Sequence, residues 1–171
     1  MRLGARRGIP TLVLIREPRD AVLSLTIRKE LPSVVWALEE YLDFYLPVAA
    51  LADGVVVADF TETTADMGAV IRRLNDRFGT NFAEFDHNEE NVAAVYAELE
   101  QIEQRDAGGD VVRETHVARP SAARRSAKDD LASQLESQPA QRLLAEAQTL
   151  YEMILQQHGI RLPDPQEATA H

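Results

Sequence analysis

The residues best suited to chemistry lie in one short segment, Arg16-Glu17-Pro18-Arg19-Asp20-Ala21-Val22-Leu23-Ser24. A guanidinium fork can clamp a phosphate through two parallel N–H donors, and a serine hydroxyl can add another. Arg16 comes directly after an apolar run, so it stands at the carboxyl end of an expected strand, where open α/β sheets bind ligands. Pro18 suits a first helical turn, which puts Ser24 about two turns into the helix. Amides at the start of that helix would favour the same anion. The alternative is a surface arginine paired with Glu17 or Asp20 and a serine bonded back to its own turn. Asp20 lies on the Ser24 face and reads as structural, near the first-turn amides. Arg19 reads as a solvated charge.

The elements that must position these residues are marked by short apolar runs and breakers. Thr11–Ile15, bounded by Gly8-Ile9-Pro10 and Arg16-Glu17-Pro18, reads as a strand buried on both faces, within about 10–16. Gly54 opens a second such strand, Val55 to Phe60, within about 54–60. Between them, one helix ends at Leu31-Pro32. A second starts at Ser33, carries Val34, Leu38, Leu42 and Tyr45 on one stripe, and is ended or kinked by Pro47. Trp36, Tyr41 and Tyr45 are expected in the core. Thr63 or Thr64 is expected to cap a helix that Gly79 closes, and Asn88 an acidic helix over Val92 to Ile102. Residues 104–119 read as a loop. Two closing helices, divided at Gln138-Pro139, run to Gly159, and 161–171 read as a flexible tail. This order predicts an α/β domain over 1–160 with parallel strands joined by a right-handed crossover and a helix-rich carboxyl-terminal part. With only two strands in view, raw hydrogen-bonding edges are expected, as if the domain were incomplete.

Composition narrows the classes. The chain has 171 residues, 45% of them hydrophobic, no cysteine and a net charge of −10. General nucleic-acid binding is disfavoured by that charge, and disulfides and thiolate sites are excluded. No apolar run is long enough for a bilayer span, so an acidic, soluble, cytoplasmic domain is expected. Residues 1–38 nevertheless carry a net +4 and residues 105–128 a net +3, which fits a local anion site. Glu39-Glu40 and Glu89-Glu90 lack companion ligands, so no metal site is expected. His87 reads as a helix cap, His158 as a partner of helix-end carbonyls, and His171 is terminal. His116 sits in a basic loop within reach of a bound anion. None has a catalytic neighbourhood, and no catalytic residue is assigned.

The pattern Arg-x-Pro-x-Asp-x-x-x-Ser after an apolar strand resembles the 3′-phosphate-binding motif of sulfotransferases that use 3′-phosphoadenosine 5′-phosphosulfate (PAPS). Trp36–Tyr45 is similar to the helix pair after that motif. Val55–Phe60 is similar to a family strand, and Leu74-Asn75-Asp76-Arg77-Phe78-Gly79 to a family helix end. Pro120-Ser121 and Leu144–Tyr151 are similar to a closing helix pair. The resemblance implies an incomplete three-layer P-loop-type fold, PAPS as cofactor, and Arg16 and Ser24 as holders of its 3′-phosphate. It implies sulfuryl transfer to a hydroxyl or amine acceptor in the complete domain. The family's amino-terminal phosphate loop has no counterpart here: Gly4-Ala5-Arg6-Arg7-Gly8 precedes a strand instead of coming after one. Gly108-Gly109 with Arg113, Arg119, Arg124 and Arg125 lies where the family has a glycine-rich basic loop, and reads as a mobile, solvated loop. The chain alone is therefore expected to be inactive as a transferase. A non-catalytic interaction module, including a homo-oligomer, and another nucleotide-dependent transferase or kinase are the alternatives.

Overall fold

In a computed structural model, residues 7–51, 54–106, 108 and 121–161 are described. Two short strands, β1 (Leu12–Ile15) and β2 (Val56–Asp59), pair in parallel, with Leu12 opposite Val56 and Ile15 opposite Asp59. Helices α1 (Pro18–Lys29) and α2 (Val34–Ala49) connect them. After β2 come α3 (Phe60–Ala65), α4 (Met67–Phe78), α5 (Glu89–Asp106) and α6 (Ala122–Ala132). A 3₁₀ turn, Ser133–Glu136, leads into the long closing helix α7 (Gln138–Gln157). The fold is a helix-rich α/β arrangement around a small parallel sheet.

Local signals explain most boundaries. Pro18 opens α1, and Glu30, in a left-handed conformation at φ 49°, ends it just before Pro32. Gly79 takes the left-handed position after α4, at φ 64°. The Asn88 side chain accepts the Asn91 N–H at 2.9 Å and so caps α5, which continues through 104–106 where a loop was expected. Neither Thr63 nor Thr64 caps a helix. Asp59 caps α3 and Asp66 caps α4, because a carboxylate one residue before the first turn reaches its free amides. Ser33 precedes α2 without a side-chain cap bond; the Val34 N–H donates instead to Gln134 Oε1 at 3.2 Å. Pro47 sits inside α2, which runs on to Ala49.

Two apolar clusters share α2 and α7. One joins Val13, Ile15, Val55 and Val57 to Val48, Leu150, Tyr151, Ile154 and Leu155. The other gathers Val22, Leu23, Val34, Ala37, Leu38 and Tyr41 with Leu135, Ala140 and Ala147. Burial of β1 on both faces is not observed: Val13 and Ile15 are buried but Leu14 between them is 44% exposed. Only β2 is buried along its whole length. Trp36 is also misplaced by the periodicity argument, being 56% exposed, whereas Tyr41 is buried.

The sheet edges are partly covered by side chains. The Val56 N–H donates to Thr11 O at 2.9 Å, so alternation along a parallel ladder turns the Leu14 and Arg16 carbonyls away from β2. Tyr45 Oη donates to Leu14 O at 2.7 Å and Tyr41 Oη to Arg16 O at 2.9 Å. These two tyrosines, four apart on α2, line the outer edge of β1. Burial pushes the Tyr45 hydroxyl up to about 12 and raises that of Tyr41 as well, so both remain donors at neutral pH. On the far side, Arg73 Nη2 donates to the outward Val57 O at 2.8 Å and to Glu62 Oε2 at 3.0 Å, while Arg73 Nη1 donates to Glu62 Oε1 at 2.5 Å. Side chains thus bond three outward carbonyls that no neighbouring strand meets among the described residues.

Candidate anion-binding site

Beyond the carboxyl end of β1, four segments that are distant in sequence come together. Tyr41 pins the Arg16 carbonyl, and the Arg16 guanidinium lies over the Phe60 ring, 4.1 Å from its centroid. That placement is a cation–π contact that holds the fork at the crevice between the two strands. Arg16 Nη2 donates to Asp20 Oδ2, and the other oxygen, Oδ1, accepts from Lys128 Nζ on α6. Asp20 is therefore a bridge between two cations and not a partner of the first-turn amides. Those amides belong to Glu17, whose carboxylate accepts from the Arg19 and Asp20 N–H groups at 3.0 and 2.8 Å. The expected contribution of helix amides to the anion site is thus taken up internally at these two positions.

Arg124 lies one turn before Lys128 on α6, and its charge reaches the same place. Burial and then Arg124 push the Arg16 guanidinium below its ordinary value, with Glu17 and Asp59 pulling the other way. Lys128 is pushed down to about 8, first by burial and then by Arg16 and Arg124. Arg124 is itself lowered by burial and by Arg28, whose guanidinium meets Glu103 of α5 at 3.3 Å. Arg16, Lys128 and Arg124 are thus close enough to depress one another, while Glu17, Asp59 and Glu103 act in the opposite direction.

Ser24 lies one turn beyond Asp20 on α1. It is buried, and among the described residues its Oγ has no hydrogen-bond partner. The back-bond expected of an ordinary helix serine is absent at Ser24 but present two residues on, where Thr26 Oγ1 donates to Val22 O at 2.8 Å. An unused buried hydroxyl costs stability unless something outside the chain completes it.

The structure shows the pairing of Arg16 with Asp20, the alternative reading, with Lys128 on the other carboxylate oxygen and Arg124 close by. Arg19 is exposed, as expected. Arg124 is not part of a solvated loop but of α6; Gly109, Arg113, His116, Arg119 and His171 lie outside the described residues, as do 1–6 and the tail from 162. His87 is exposed and its ring meets the Phe85 edge, while Asn88 does the capping. Among the described residues no group of three or more His, Asp or Glu is placed to hold a metal, and no helix is long and apolar enough to cross a membrane. Lys128 was not legible as a site residue; the only hint was the net positive charge of 105–128.

No protein-family model, curated protein or solved structure matches this chain. The functional reading rests on the site and on the motif resemblance of Arg16–Ser24.

At the end of β2 the chemistry is different. Asp59 is buried, its Oδ1 accepts the Thr61 N–H at 2.8 Å, and its Oδ2 accepts Tyr151 Oη at 2.7 Å. Burial, and after it this bond, raises the Tyr151 hydroxyl well above its usual range, so it stays a donor. Asp59 is fully employed as cap and tie, and the arrangement has the character of a structural joint.

Proposed function

We propose that this chain binds 3′-phosphoadenosine nucleotides, as the 3′-phosphate half-site of a PAPS-dependent sulfotransferase of P-loop type. One observation carries the reading. Arg16, Lys128 and Arg124 gather just past the end of β1, beside the helix whose buried Ser24 Oγ lacks a partner among the described residues. A phosphate dianion supplies what such a cluster needs, acceptor oxygens for a planar fork, an ammonium and a hydroxyl. The resemblance of Arg16–Ser24 to the sulfotransferase motif selects PAPS among phosphate-bearing cofactors. In the complete enzyme a sulfuryl group passes to a hydroxyl or amine acceptor, and this half-site contributes positioning. No residue here is assigned to the transfer step. A cytoplasmic location is part of the same reading.

Calorimetric titration with 3′-phosphoadenosine 5′-phosphate tests it, beside Arg16→Ala and with adenosine 5′-monophosphate as control. Binding that needs both the 3′-phosphate and Arg16 is the expected result. A folded chain that binds neither nucleotide, or binds both alike, overturns it. A second reading, an interaction module, is favoured by Trp36, Phe44 and Leu46, all large, apolar and half-exposed on α2. Concentration-dependent self-association that ignores nucleotide would support that alternative.

A further inference from the structure

The carboxylate of Asp20 already sits where an anion would sit. One oxygen is held by Arg16 from the end of β1, the other by Lys128 from α6, more than a hundred residues away in sequence. The side chain of Asp20 is 40% exposed, against 29% for Arg16 and 20% for Lys128. The carboxylate is thus the outermost member of the trio and can swing into water while the cations stay in place. Glu17, the nearest other carboxylate on this turn, cannot take its place without uncapping α1. We propose that Asp20 is a built-in stand-in for the ligand, occupying the Arg16–Lys128 pair when the site is empty and displaced by phosphate when it fills.

This inference rests on the phosphate-site reading and adds a competition to it. The stand-in relieves repulsion between two half-buried cations, which lets the site persist without ligand. It also sets a selectivity. An incoming group must out-compete a carboxylate, so a phosphate monoester carrying close to two charges is favoured over singly charged anions.

The test uses the full chain titrated with 3′-phosphoadenosine 5′-phosphate, comparing it with Asp20→Asn, which keeps shape and removes charge. Loss of the competitor should tighten binding by about fivefold, the scale of one partly exposed ion pair. Unchanged or weaker binding by Asp20→Asn, with the unaltered chain binding and Arg16→Ala not binding, overturns the stand-in and leaves the phosphate site intact. No binding by the unaltered chain and by Asp20→Asn alike overturns both. Should Asp20→Asn fail to fold, the Asp20 Cγ carbon-13 resonance of the unaltered chain decides: it should shift at saturation as the carboxylate passes to water, and a resonance that stays put overturns the proposal.

Discussion

The two strands end side by side, Ile15 opposite Asp59, yet the polar chemistry beyond each end is different in kind. Past β2 the buried carboxylate is fully used: Asp59 caps α3 and ties Tyr151. Past β1 two cations share one carboxylate, a third adds its charge, and a buried hydroxyl has no partner among the described residues. A closed polar network is what stability alone selects, since each unmet group costs free energy. An open one next to it points to a role that stability does not explain. The comparison can be broken by making the closed end behave like the open one, or the reverse.

The largest effect is expected at the closed end. Asp59→Ala removes a helix cap and strands a buried Tyr151 hydroxyl, a combined loss of about 3 kcal/mol. Urea unfolding should show a lower midpoint with an unchanged slope. Next comes Arg16→Ala, expected to weaken 3′-phosphoadenosine 5′-phosphate by about a hundredfold while moving the midpoint little, because a partly exposed ion pair contributes about 1 kcal/mol or less. If Arg16→Ala unfolds the chain and Asp59→Ala does not, the assignment of roles to the two ends is reversed.

How much of this was legible depended on how local each signal is. The strand–helix unit around Arg16 and the ends at Gly79 and Asn88 are set by residues within one turn, and they appear where the sequence places them. The outer face of β1 was misread because the apolar run Thr11–Ile15 does not tell a strand buried on both faces from one with Leu14 in water. The edge bonds were missed because Tyr41 and Tyr45 read by periodicity as core, whereas their polar tips bond strand carbonyls, and nothing local ties Arg73 to Val57 O. Lys128 was missed for the same reason on a larger scale: nothing local ties it to Asp20.

Lys128 sharpens the comparison through pH. It is pushed down to about 8, so its charge disappears as pH rises through that value. A phosphate monoester is already a dianion there, so the ligand's own charge is steady. Affinity should fall by about fivefold between pH 7 and 9, the partial loss of one charge-assisted contact, and Lys128→Met should be weak and flat over that range. Stability moves the opposite way. The folded chain holds this proton less tightly than the unfolded chain, whose lysines titrate near 10.5. Between about 8 and 10.5 the unfolded state therefore binds more protons, and this group's contribution to stability rises with pH. A binding curve that does not fall through 8 removes Lys128 from the site.

The smallest effect is the most discriminating. Ser24 and Thr26 lie two apart on one helix, both buried, one hydroxyl idle and the other bonded to Val22 O. If the idle hydroxyl is reserved for ligand, Ser24→Ala should leave the folded chain as stable or stabilise it by up to about 1 kcal/mol, because a buried unpaired group is removed. The same change should weaken nucleotide binding by about threefold to tenfold, the loss of one hydrogen bond. Thr26→Val should leave affinity alone. Opposite signs for stability and binding at Ser24 are hard to obtain from a merely structural serine. Destabilisation by Ser24→Ala with unchanged affinity would make the hydroxyl part of the scaffold and reduce the site to its cations.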